Sequence, residues 1–250
     1  MIEQENIGNV ALLRMCHGKA NVLDIEFLKE ISRTFDDLAR SDVGAVVITG
    51  TGNIFSAGVD LKRLEAGGAE YIQAFIPALT EVFEKMFFFP HPLLAACNGH
   101  AIAGGAVMLC AADVRYGARG KGRIGVPELL VGVPFPLAAI EIIKFATRPE
   151  RLQEIIYEGR NYDMESAVEV GLCEKLYEAD ELIDQTCARA KELADIPKAS
   201  FRFSKQAMRA GVKDMLSLHG ADMDAEVTEL WCSQEVREAV RNYLTKTLST

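Results

Sequence analysis

Runs of apolar residues at two different spacings divide this chain into predicted strands and helices. Residues 2–6 and 10–15 flank the turn Asn6-Ile7-Gly8-Asn9 and predict a β-hairpin. Ile25, Leu28, Ile31, Phe35 and Leu38 then recur on one helical face behind Asp24, a capping residue, predicting a helix to about residue 40. Val43, Val46, Val47, Ile48 and Thr49 form a β-branched run, which predicts a strand over 43–49 covered on both faces. Residues 50–53 read as a turn, and Gly67-Gly68 as a loosening of the chain before a helix over 69–88. Residues 93–97 predict a further strand, Asn98-Gly99 a turn, Gly104-Gly105 the opening of a helix to Ala111, and residues 114–116 a short strand. Pro149 suits a first helical turn, and Asp163 can cap another helix. From Asp180 onward the pattern is almost wholly helical, and its apolar faces need covering by this chain or a neighbouring subunit.

Composition narrows the class. The 250 residues include 27 Lys and Arg against 36 Asp and Glu, a formal net charge of −9. A hydrophobic fraction of 49% excludes a disordered chain. The acidic balance argues against a sequence-independent grip on nucleic acid, and no apolar run is long enough for a membrane helix. The six cysteines form no C-x-x-C pair, and no basic-then-apolar leader is visible, so reduced thiols in a cytoplasmic protein are expected. The four histidines are scattered, and no metal site is expected.

Two glycine-bearing turns carry candidate chemistry. In Phe55-Ser-Ala-Gly-Val-Asp-Leu-Lys62, Gly58 permits a sharp turn that can aim the Val59 amide into a cavity. In Asn98-Gly-His-Ala-Ile-Ala-Gly-Gly-Ala106, Gly104 and Gly105 stand at a helix start, where N–H groups lack intrahelical partners and the dipole is positive. Two such amides could hold one developing oxyanion, although each segment alone is also an ordinary turn of an α/β fold. Phosphate-loop, dinucleotide-binding and nucleophile-elbow motifs are absent.

Together with Pro127-Glu-Leu-Leu-Val-Gly132, Asn21-Val-Leu and Ala167-Val-Glu-Val-Gly-Leu172, these two segments resemble the crotonase (enoyl-CoA hydratase/isomerase) superfamily along essentially the whole chain. The resemblance implies an α/β spiral of repeated β-β-α units. It divides the chain into a core over 1–190 bearing an acyl-CoA site and a helical region over 191–250 for packing and oligomerisation, as a homotrimer or hexamer. It implies that the Val59 and Gly104 amides hold the enolate oxygen of an acyl-CoA thioester. It places Lys19, Ala20, Ala57, Gly58, Asp60, Leu61, Lys62 and Gly105 around the substrate, with Ala57 offering its backbone to the adenine and Lys62 near the phosphates. No cofactor is expected beyond the coenzyme A of the substrate.

Hydratases of the family resemble one another in carrying two glutamates. Here the first position, three residues after Gly104, is Val107; the second is Glu128, the expected acid/base. One base can move a double bond by taking a proton from C2 and returning it at C4, whereas hydration divides naturally between two carboxylates. Δ3 to Δ2 enoyl-CoA isomerisation is therefore the favoured activity, with enoyl-CoA hydration or non-catalytic acyl-CoA binding as alternatives. His100 is expected to be packed and hydrogen-bonded, Asp113 to cap or pair structurally, and Trp231 to join Val227, Leu230, Val236 and Tyr243 in helical core packing.

Overall fold

The computed structural model describes residues 1–248. The hairpin pairs β1 (Ile2–Ile7) antiparallel with β2 (Val10–Met15), and Gly8 turns the chain at φ 68°. Asp24 caps α1 (Ile25–Arg40), its side chain accepting the Phe27 N–H at 2.8 Å. Three β-β-α turns follow. The first is β3 (Ala45–Thr49), β4 (Ile54–Ser56) and α2 (Leu61–Phe87). The second is β5 (Leu93–Cys97), β6 (His100–Ile102) and α3 (Gly104–Ala111). The third is β7 (Val114–Ala118), β8 (Arg123–Gly125) and α4 (Glu128–Val131). The chain continues through α5 (Leu137–Ala146), a 3-10 turn at Pro149–Arg151, α6 (Leu152–Glu158), β9 (Asn161–Asp163), α7 (Met164–Val170) and β10 (Lys175–Tyr177). It ends in α8 (Leu182–Ala194), α9 (Lys198–Cys232) and α10 (Gln234–Leu248).

Each turn of the spiral adds one strand to each of two sheets. The six-stranded sheet is ordered β1-β2-β3-β5-β7-β10, and the four-stranded sheet β4-β6-β8-β9. Pairing is parallel from β2 to β10 in the first sheet and from β4 to β8 in the second. β3 and β5 are buried along their whole length because both faces are covered. Val46, Ile48, Leu93 and Ala95 join the main core, while Val47, Ala45, Leu94 and Ala96 meet Leu182, Cys187 and Ala190 of α8 on the other face.

The pattern missed β4, β6, β8, β9 and β10, which at three residues each are too short to show an alternation. It also started α2 late. Asp60 caps that helix by accepting the Arg63 N–H at 3.1 Å, so the helix runs through Gly67 and bends at Gly68, where φ is 62°. The glycine pair marks a kink within the helix rather than a loop before it.

α9 and α10 fold back onto their own chain, against α2 and α5. A buried ionic cluster anchors α9. Asp113 accepts from Lys205 Nζ at 2.7 Å and from Arg209 Nη2 at 2.9 Å, and also receives the Leu93 N–H, which is the structural pairing expected of it. Arg209 also donates to the Phe87 carbonyl and lies over the Phe87 ring. Val227, Trp231 and Val236 are buried as their spacing predicts, whereas Leu230 is 42% exposed, on the outer side of α9. All six cysteines are free thiols, four of them buried. Among the described residues no helix is long and apolar enough to cross a membrane, and no cluster of His, Cys, Asp or Glu is arranged to hold a metal ion.

Candidate active site

Three neighbouring parallel strands, β4, β6 and β8, deliver the key residues at the same end of their sheet. The segment after β4 lies along residues 20–23. Ala57 N donates to Ala20 O at 2.9 Å, Leu23 N to Gly58 O at 2.8 Å, and Asp60 N to Leu23 O at 3.1 Å. Gly58 N donates to Ser56 Oγ at 3.2 Å. A full account of these donors leaves one over: the Val59 N–H has no hydrogen-bond partner among the described residues.

After β6, Ala103 N donates to Gly125 O, and Ala103 O receives the Ala106 and Val107 amides as α3 begins. The Gly104 N–H, first in that helix, has no partner among the described residues. Ala103 holds φ 54° and ψ −129°, a conformation that an L-residue with a side chain rarely adopts. Sequence reasoning missed this strained residue, which sets the direction of the following amide.

Glycine is required where the two turns meet. A Cβ on Gly58 would lie 2.5 Å from Ile102 O and 3.1 Å from Gly104 N, and φ there is 78°. A Cβ on Gly105 would lie 2.4 Å from Ser56 O. Gly105 thus packs the start of α3 against β4, which is its visible role.

β8 leads through buried Val126 and Pro127 to Glu128, the first residue of α4. One carboxylate oxygen, Oε2, is buried with no hydrogen-bond partner. Burial in apolar surroundings raises the Glu128 pKa to about 8, against a smaller lowering by its own backbone amide. Val59, Gly104 and Glu128 all line one cavity of about 130 Å³, walled by apolar side chains including Phe83, Val107, Phe135 and Trp231. The arrangement offers two unpaired N–H donors and one proton-holding carboxyl in a largely apolar space, the equipment for removing a proton next to a carbonyl.

The other expected residues divide into two groups. Ala57 and Leu61 line the cavity with Val59. Lys19 and Lys62 are exposed outside it, Ala20 braces the β4 turn, and Asp60 caps α2. His100 is half-buried in β6 and outside the cavity lining, and its side chain makes no hydrogen bond among the described residues, contrary to expectation. Trp231 is core as expected, but it also forms cavity wall, its Nε1 donating to Pro134 O at 3.0 Å.

Two supporting features were not read from the sequence. Asn21, at φ 47°, accepts the His17 N–H at 2.8 Å and donates to Phe55 O at 3.0 Å, which locks residues 17–24 against β4. Asp24 lies 2.9 Å from His17 Nε2 and accepts from Arg63 Nη1 at 3.1 Å. Burial by itself would raise the Asp24 pKa, yet the Phe27 amide, His17 and Arg63 together hold it below the ordinary value. Partners drawn from four separate segments leave no local pattern to read.

This spiral of β-β-α units has the crotonase fold, and two free amides and a buried carboxyl line one of its cavities. The chain belongs to the enoyl-CoA hydratase/isomerase family, whose model matches residues 4–249. It is 28% identical over 257 residues to a Thermus thermophilus protein classed with the enoyl-CoA hydratases, covering 98% of each chain. It matches a Mycobacterium tuberculosis enoyl-CoA isomerase at 26% identity and a TM-score of 0.79, over 91% of this chain and 96% of that one. Human mitochondrial Δ3-Δ2-enoyl-CoA isomerase shares the fold, with a TM-score of 0.94 at 18% identity over 99% of this chain and 98% of that one.

Proposed function

We propose that this enzyme isomerises Δ3-enoyl-CoA to Δ2-enoyl-CoA. The observation that carries the reading is the single carboxyl: Glu128 is the only acidic side chain among the described residues lining the cavity, and Val107 stands, 1% exposed, where a second would be expected. The ionised Glu128 removes a proton from C2 of the 3-enoyl thioester. Electron density moves onto the thioester oxygen, giving a dienolate held by the Val59 and Gly104 amides. Glu128, now protonated, returns that proton to C4. The double bond passes from C3–C4 to C2–C3, the carboxylate is regenerated, and no electrons are gained or lost.

Lys62 is assigned to the coenzyme A phosphates, the Ala57 backbone to the adenine, and Lys19 and Ala20 to a loop flanking the coenzyme. The bond from Ala57 N to Ala20 O supports this, because it brings the two segments together. No group is needed beyond the coenzyme A that the substrate carries.

Purified protein is given a 3-enoyl-CoA and, separately, crotonyl-CoA. Isomerisation of the first without comparable hydration of the second is expected. Hydration of crotonyl-CoA alone would make the enzyme a hydratase, and binding with no turnover of either would make it a non-catalytic member of the family. Glu128→Gln is expected to lose isomerisation while still binding acyl-CoA; an active variant would remove Glu128 from the chemistry.

A further inference from the structure

The cavity is small and one of its walls is fastened to α9. Its volume is about 130 Å³, slightly below the roughly 150 Å³ of an apolar cavity that takes a six-carbon benzene ring. This space contains the reacting centre itself, since Val59, Gly104 and Glu128 line it. The acyl carbons next to the thioester must share it, and a longer chain presses on its walls. Phe83 crowds the centre, with its Cζ 3.6 Å from where a Cβ on Gly104 would sit.

The fastened wall is Pro134-Phe135-Pro136. Two prolines with fixed φ make it stiff. Trp231 Nε1 donates to Pro134 O at 3.0 Å, tying this wall to α9. For this wall to retreat, that bond must break, stranding the buried indole N–H without an acceptor. α9 itself is fixed by the ionic cluster of Asp113, Lys205 and Arg209.

We propose that the substrates are short-chain enoyl thioesters, of about four to six acyl carbons, and that Trp231, clamped to Pro134, sets this limit. The proposal rests on the reading of this cavity as the acyl site, but not on which reaction occurs there.

Binding of saturated butanoyl-, hexanoyl-, octanoyl- and dodecanoyl-CoA to the wild-type protein, measured by calorimetry, tests the limit without turnover. Affinity should hold through hexanoyl-CoA and fall about tenfold or more at octanoyl-CoA. Trp231→Ala should largely abolish that fall, and should improve kcat/KM for 3-octenoyl-CoA relative to 3-hexenoyl-CoA. If Trp231→Ala does not fold, Trp231→Phe, which loses the bond to Pro134 but keeps most of the bulk, should show weaker discrimination. Octanoyl- or dodecanoyl-CoA binding to the wild type as tightly as hexanoyl-CoA would overturn the size limit. A folded Trp231 variant with unchanged discrimination would overturn the role of Trp231. A length cut-off in binding with no isomerisation of any 3-enoyl-CoA would instead sink the isomerase reading and leave the size limit standing.

Discussion

The carboxyl of Glu128 sits in an apolar cavity with one oxygen unpartnered, and this setting governs how activity and stability respond to pH. Burial raises its pKa to about 8, so at neutral pH the free enzyme holds it mostly protonated. The proposed reaction needs the carboxylate, and kcat/KM reports the free enzyme. It should therefore climb with pH and level off above about 8; a flat profile from pH 6 to 9 on a 3-enoyl-CoA would contradict this. The stability effect has the opposite sign. The folded state binds the proton more tightly than the unfolded chain, whose glutamate has the ordinary value of 4.5, so stability is fully present below that value and lost as pH rises toward 8. Glu128→Gln removes the penalty and should stabilise the protein at pH 8, by on the order of 3 kcal/mol, with a Tm less dependent on pH between 5 and 8. Gly58 answers to sterics rather than charge. Gly58→Ala places a methyl group 2.5 Å from Ile102 O, forcing the two amide-bearing turns apart. Its kcat should fall about 100-fold or more, as when an oxyanion donor is misplaced, with a smaller change in acyl-CoA affinity.

Elements succeed here by being short and repeated. β4, β6 and β8 contribute three residues each, yet their ends bring Val59, Gly104 and Glu128 to one cavity. No single strand of this length would be stable alone; parallel pairing and burial between two layers of the spiral hold them. α9 depends on a different device. Lys205 has its pKa pulled down to about 8 by burial, despite the opposing attraction of Asp113, so the cluster sits in a demanding environment. Removing the shared anion would leave two buried cations unpaired. Asp113→Ala should cost roughly 3–5 kcal/mol in urea denaturation. A loss below about 1 kcal/mol would place the cluster with dispensable surface pairs.

For the molecule as a whole, the net charge of −9 says little about the proposed ligand. The assigned contacts to coenzyme A are backbone amides and two exposed lysines, so local geometry outweighs the overall sign. The surface of α9 bears on assembly. Phe203, Met208 and Leu218 are each more than 70% exposed, apolar surface that association between chains would cover. A homotrimer or hexamer is expected, and sedimentation of the 27.4 kDa chain checks it. Phe203→Glu combined with Leu218→Glu should shift the mass toward a monomer, and a monomeric wild type would refute the expectation.

Local sequence determined much of this protein. The apolar run in β3 announced burial on both faces, Asp24 and Asp163 announced helix starts, and Gly58 and Gly104 marked the turns whose amides stay free. These signals are legible because each depends on the geometry of a few consecutive residues: periodicity, a cap, or a backbone angle that glycine tolerates. The family resemblance supplied Glu128 and the missing carboxyl at Val107. Tertiary structure alone decided the rest. The unpartnered Oε2 of Glu128, the strained Ala103, the clamp from Trp231 to Pro134 and the grip of Asp113 on α9 join residues far apart in the chain. Burial and hydrogen-bond satisfaction depend on which segments meet in space, and a one-dimensional pattern carries no record of those meetings.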